Sequence, residues 1–322
     1  MNKLLNEYQK KFTDKQFVNE NVLCGISKNA KLHDELNNVR SSAAACLNVF
    51  GYLNQNPNDI IPFFQSIGLQ IDEILDFPKN VNVSGEIYDD TGPFVFEWIG
   101  PRKSVINEKG GSRGQNRTSI DAFLLVKING IITQLLIEWK FTETYNSEAY
   151  LHKFGGKKGI ERLRRYSDVL ASIRQDGFPF DFKDEFNIGL YDFNYEPFYQ
   201  LLRMTLLAKM TTPLQLNNIN IQDYRIVHLT HSQNEEFNTL SETHLKYSPG
   251  LKSFIGKSLH GTWNSILNED EKKKHIFSFW NNSLRCLSEN EEKKYLLERI
   301  ITDDKDTMFK RNRFDHIQTF FI

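Results

Sequence analysis

The chain has 322 residues, with 40 Lys and Arg against 41 Asp and Glu, and it is rich in aromatics, with 25 Phe and 12 Tyr. A net charge of −1 does not mark a dedicated polyanion binder, although charge can be segregated locally, and the aromatic count promises a substantial core. Three cysteines without motif spacing (Cys24, Cys46, Cys286) argue against structural zinc, and with no leader-like or membrane-length apolar run the expectation is a cytoplasmic protein without membrane association.

In chain order, residues 1 to 35 hold scattered apolar positions compatible with one or two helices. Ser41 or Ser42 can cap a helix whose residues 43 to 53 are apolar almost all round, so it is expected to be buried and to pack Cys46. IGLQIDEILDF (67 to 77) reads as a short second helix. Val81 to Ile99 alternates and reads as strands broken by a turn at 89 to 93, and residues 100 to 117 are a polar, basic, glycine-rich loop.

Next comes SIDAFLLVKI-NG-IITQLLIEWK. Asn-Gly between β-branched and apolar runs is the strongest short-range hairpin signal, because a type I′ turn needs positive φ at both central positions. A two-residue loop at Asn129-Gly130 pairs residues whose numbers sum to 259, which sets Asp121 against Glu138 and Ser119 against Lys140. Strand alternation puts Glu138 and Lys140 on one face. A bulge would shift the opposition of Asp121 and Glu138 but not that shared face.

After the hairpin, FGGKKG (154 to 159) reads as a loop and 160 to 175 as a helix. Its apolar stripe is Ile160, Leu163, Tyr166, Leu170 and Ile173, with Lys158, Arg162 and Arg165 lined up on another face. EPFYQLLRMTLLAKM (196 to 210) is a helix, DYRIVHLTH (223 to 231) a strand, and the segments after 250 read as helices. His228 and His231, three apart on a strand, face opposite sides and are not expected to share a metal. The expected organisation is a helical extension (1–40), a core (41–232) and a mainly helical region packed on the core (233–322).

Opposed carboxylates lie roughly 5 Å apart at Cβ and repel. A hard divalent cation relieves them, and one of its waters can become a nucleophile that Lys140 orients. An incidental charge cluster on an exposed strand pair fits poorly, because the neighbours (Ala122, Phe123, Leu124, Leu125, Leu136, Ile137) are apolar on both faces.

Asp121 and, 17 residues on, Glu138-Trp139-Lys140 resemble the signature of the PD-(D/E)XK nuclease superfamily, in its restriction-endonuclease-like branch. SSAAACLNVFGYL (41 to 53), FVFEWIG (94 to 100) and EPFYQLLRMTLLAKM carry the resemblance further, over about residues 35 to 232. It implies an α/β fold with an αβββαβ core, a mixed central sheet of four or five strands flanked by helices, and extra helical segments at both ends. It also implies Mg²⁺, with Mn²⁺ as a substitute, held by Asp121, Glu138 and the Trp139 carbonyl, and Lys140 positioning water. Glu97 is a further acid for the metal or its water, with Glu86, Asp89, Asp90 and Glu35 as competitors; Glu143 falls off the catalytic face. Asn48 and Arg203 read as a hydrogen-bonded core network or, by resemblance, as braces for the carboxylates.

The implied activity is a restriction-type endonuclease hydrolysing duplex DNA, expected as a homodimer, with a cognate DNA methyltransferase in the same system. Arg113, Gln115, Arg117, Ser119, Lys158, Arg162 and Arg165 are the candidate DNA contacts; Arg and Gln are side chains that read base edges, and basic ones also hold phosphates. The alternatives are a structure-specific or repair nuclease of the same fold and a catalytically silent nucleic-acid-binding module.

Overall fold

A computed structural model describes residues 41–300 except 79–80, 84–85, 89–91, 102, 110–116, 175–176 and 183–186. The expected N-terminal helices, Cys24, Glu35, Asp89, Asp90, Arg113 and Gln115 lie outside the described residues.

Helix α1 (Ser42–Gln55) begins where Ser41 accepts the Ala44 amide, and ten of its residues, Cys46 included, are buried. After α2 (Ile60–Ser66) come β1 (Glu73–Leu75), the separate hairpin β2 (Val81–Val83) and β3 (Glu86–Tyr88), and β4 (Phe94–Trp98). The helix expected over 67 to 77 is therefore corrected. Its centre is β1, which pairs antiparallel with the turn end of the central hairpin, where Glu73 meets Lys127 at 2.5 Å.

The central hairpin is β5 (Ile120–Ile128) and β6 (Ile131–Trp139), joined by Asn129 (φ 52°) and Gly130 (φ 74°). Helix α3 is Gly156–Ser172, α4 is Glu196–Met210, then a two-strand unit β7 (Leu214–Leu216) and β8 (Ile219–Ile221), and β9 (Asp223–Thr230). Helix α5 (Leu259–Ile266), β10 (His275–Phe279) and α6 (Glu291–Ile300) follow.

Two expectations change here. FGGKKG is not all loop: α3 starts at Gly156, and Gly159 lies so close to Phe154 that an added Cβ would meet its carbonyl carbon at 2.1 Å. HIFSF, read as helix, is β10; it pairs parallel with β9 from His275–Ile226 to Phe279–Thr230 and extends the sheet.

The mixed sheet runs β1 and β4, both on β5, then β6, β9 and β10. The β5–β6 pairing is antiparallel and β6–β9 parallel. One face packs on α3, α4 and α5 through Phe123, Leu136, Tyr166, Leu202, Ile226 and Trp263. The other packs on α1, α2 and the segment from Trp280, through Phe50, Phe63, Phe94, Leu124, Leu135, Trp139 and Trp280. Ile160 does not join its expected stripe; it is 65% exposed. Among the described residues no helix is long and apolar enough to cross a membrane.

Candidate active site

The hairpin ladder keeps the 259 sum from Ile128–Ile131 to Ala122–Ile137 and ends there. At the next position the Trp139 amide donates to Asp121 Oδ2 at 2.8 Å instead of to a main-chain oxygen. Asp121 thereby becomes part of the ladder's end, its side chain within hydrogen-bonding reach of Glu138. The sheet also changes phase here. Phe96 and Ala122 pack in one core, whereas Trp98 and Ile120, the next pair, pack in the other.

Glu97, between those pairs, has φ +57°. A non-glycine residue in that region costs on the order of 1–2 kcal/mol, a cost found most often at functional sites. Its carboxylate accepts from Ser119 Oγ at 2.5 Å and pushes the Asp121 carboxyl upward electrostatically.

Glu138 is 1% exposed and Lys140 6%. Lys140 Nζ lies 2.6 Å from Glu138 Oε1, and the Gln200 amide of α4 donates to the same oxygen. Both donors thus crowd Oε1, while Oε2 is buried with no hydrogen-bond partner, as is Gln200 Oε1. Burial pushes Glu138 well up, the neighbouring Asp121 adds to this, and Lys140 opposes it. Burial pushes Asp121 up too. For Lys140 burial disfavours the charge, but Glu138, helped by Asp121, outweighs it and holds the ammonium protonated. Tyr145, its ring centroid 5.9 Å from that ammonium, is kept a neutral phenol by burial. Glu143, which accepts the Phe141 amide at 2.7 Å, also contributes to the field on Lys140.

On the next strand His228 is level with Glu138, and its ring meets His260 of α5 at 2.9 Å. Burial pushes His228 well down and His260 down to about 3, so this wall of the site is neutral at pH 7. His231 instead packs on Phe141 and Trp280 in the other core.

The donor set suits a hard cation. Once deprotonated, the two carboxylates accept and cannot donate, and a buried carboxylate oxygen without a donor among the described residues, beside a second carboxylate and a bare amide oxygen, is a place for positive charge. Among the described residues no three or more His, Cys, Asp or Glu side chains form a metal-holding group. Asp121 and Glu138 are two carboxylates that could hold an ion that keeps several waters, as Mg²⁺ does. The Trp139 carbonyl, on the same strand, accepts Ser42 Oγ at 3.3 Å.

The candidate DNA contacts separate. Arg117 is 6% exposed and its Nη2 donates to the carbonyls of Ile99 (3.0 Å) and Pro101 (2.5 Å), so it anchors the base of the basic loop and is corrected as a surface phosphate contact. Ser119 serves Glu97. On α3, Lys158 is exposed, Arg165 lies over Tyr166, and Arg162 turns back onto the Lys153 carbonyl at 3.0 Å.

Sequence reasoning passed over Gln200 and Tyr145, and it did not foresee the contacts of Arg203. The last donates through Nε to Thr118 Oγ1 at 2.9 Å and lies 3.4 Å from Glu108, tying the basic loop to α4. The only signal was a polar residue in an apolar helix.

Neither the curated proteins nor the solved structures contain a significant match to the chain. A family model described as "Restriction Endonuclease associating with ARP" matches residues 3–287. With nearly the whole length matched, and a mixed sheet that gathers two carboxylates and a lysine at one end, the chain belongs to that restriction-endonuclease family.

Proposed function

We propose that the protein is a Mg²⁺-dependent endonuclease of the PD-(D/E)XK type that hydrolyses phosphodiester bonds of duplex DNA. The observation that carries this reading is the Asp121–Glu138–Lys140 cluster, with Glu138 and Lys140 buried and Asp121 half-buried, in which, among the described residues, Glu138 Oε2 has no donor although Oε1 has two. The succession α1, β4, β5, β6, α4, β9 supports the αβββαβ core.

Asp121 and Glu138, with the Trp139 carbonyl, are the residues that would hold Mg²⁺ or Mn²⁺. When bound, such an ion supplies a more acidic water and a positive charge at the phosphoryl oxygens. Lys140, protonated and fixed on Glu138, adds a second positive charge at the same place and can orient a water for in-line attack. Gln200 holds the Glu138 carboxylate in one orientation, and Glu97 with Ser119 biases Asp121 from the adjacent strand. The neutral imidazoles and the Tyr145 phenol limit competing charge around the ammonium.

In this reading the enzyme is cytoplasmic and works as a homodimer, one site for each strand, alongside a methyltransferase that protects the host sequence. The family description also names association with ARP, and we extend that association to this chain. Incubation of the purified protein with plasmid and Mg²⁺ or Mn²⁺ tests the activity, and sequencing the fragment ends reads the specificity. Cleavage that survives both Asp121→Ala and Lys140→Ala overturns the assignment.

A further inference from the structure

Beside the carboxylates, two arginines from two helices meet over one aromatic ring, and a lysine from a third segment is tied to both helices. Tyr199 is buried in the first turn of α4, one residue before Gln200. Arg203, one helical turn on, places its guanidinium carbon 5.2 Å from the Tyr199 centroid, and Arg162 of α3 places its own at 5.8 Å. Lys153, in the segment before α3, offers its carbonyl to Arg162 Nη1 at 3.0 Å and pairs with Glu196 at the start of α4. These are not loose surface charges: the Lys153 and Arg203 side chains are 15% and 18% exposed.

The nearby anions are shared. Glu108 accepts from the Thr118 amide and hydroxyl and from Tyr166 and lies 3.4 Å from Arg203 Nε, and Glu196 pairs with Lys153. Arg203 is bound through Nε alone, and among the described residues neither of its terminal nitrogens has an acceptor. Burial, then Arg162 and Arg203, push Lys153 down to about 8. Two carboxylates, Glu196 and Glu108, stand against the three cations and leave an excess of positive charge, and an arginine fork is the side chain best shaped to bind phosphate oxygens.

We propose that Lys153, Arg162 and Arg203 form a seat for a single backbone phosphate of the DNA, next to the scissile one. Tyr199 is its floor. Gln200 joins it to the catalytic carboxylates, touching Glu138 while lying within one turn, about 5.4 Å of helix, of Arg203. The site rests on the reading of the chain as a DNA hydrolase, and it gives that reading a register: the strand is held at one phosphate while its neighbour is presented to Asp121, Glu138 and Lys140.

The test is duplex binding by fluorescence anisotropy in Ca²⁺ across a salt series, using the full chain. Lys153→Gln and Arg162→Gln are each expected to weaken binding roughly tenfold and to lower the salt slope by about 1. Lys157→Gln, on an exposed position of the same helix, is expected to change affinity less than about twofold. Arg203→Lys, which keeps the charge, covers the case in which Arg203→Gln fails to fold.

A scan of single methylphosphonate linkages then identifies the phosphate. Neutralising one linkage should weaken wild type roughly tenfold and leave Arg162→Gln unchanged at that linkage. If wild type binds duplex but no linkage couples to Arg162 or Lys153, the phosphate seat is overturned while the nuclease reading stands. If wild type binds no duplex at all, the nuclease reading falls and takes the seat with it.

Discussion

Asp59 and Glu138 are both nearly inaccessible, at 4% and 1% exposure, yet the chain treats them oppositely. Asp59, between α1 and α2, receives the Tyr52 hydroxyl at 2.8 Å and the Ser288 amide and hydroxyl at 2.9 and 2.5 Å. Burial pushes its carboxyl up, but these donors, the Ser288 hydroxyl foremost, hold it below its ordinary value of 3.8. Glu138 has two donors on one oxygen and none on the other, and its carboxyl is pushed well up. Depth is therefore not what decides whether a buried carboxylate finds its donors. Asp59, which clamps two segments, has its oxygens satisfied by the fold, whereas Glu138, proposed to hold a ligand, is left short of donors among the described residues.

That contrast can be broken by isosteric replacement. Asp121→Asn keeps an acceptor for the Trp139 amide and removes one of two repelling charges. DNA cleavage should fall by about 10³-fold, while the metal-free protein melts no lower than wild type in EDTA. A lower melting point would place Asp121 with Asp59 among the clamps.

Asp59→Ala should do the reverse. It is expected to lower the unfolding free energy by about 3 kcal/mol in a denaturant titration, because it strands the Tyr52 and Ser288 donors, and to leave the response to divalent ions intact. Divalent ions should stabilise wild type by about 2.7 kcal/mol at a concentration one hundred times the Kd, and Asp121→Asn by much less. Equal melting shifts in the two proteins would remove the carboxylate pair as the binding site.

The smallest expected effect is in pH. A carboxylate whose folded value is depressed contributes stability that is fully present above its unfolded value, here 3.8, and is lost as pH falls through the lower folded value. The stability difference between wild type and Asp59→Asn, measured by chemical denaturation, should be constant at neutral pH and shrink below about pH 4.

Much of the candidate site was readable because it depends on local rules. Asn129-Gly130 dictates the turn and the turn dictates the register as far as Ala122–Ile137, beyond which the Asp121 side chain takes the Trp139 amide. Other parts required the chain to return from a distance. HIFSF is a short apolar run between charged segments, and only its pairing with β9 makes it a strand. IGLQIDEILDF has helical spacing, but the uncovered turn end of β5 captures its centre. Gln200 belongs to an apolar helix, and nothing local says that this position crosses above Glu138. The left-handed backbone of Glu97 carries no sequence mark at all, since glycine would be the usual signal.

Trp280 stacks on Trp139, with ring centroids 4.3 Å apart, and donates its indole N–H to the Lys140 carbonyl at 2.9 Å. It lies 140 residues after the lysine it secures. Synthesis proceeds from the N-terminus, so every proposed catalytic side chain emerges from the ribosome well before the residue that holds the end of their strand. A nascent chain in that interval has the reactive groups without their alignment. On the proposed function the delay lies in the chain order, because the residue that holds the end of this strand is made 140 residues after Lys140.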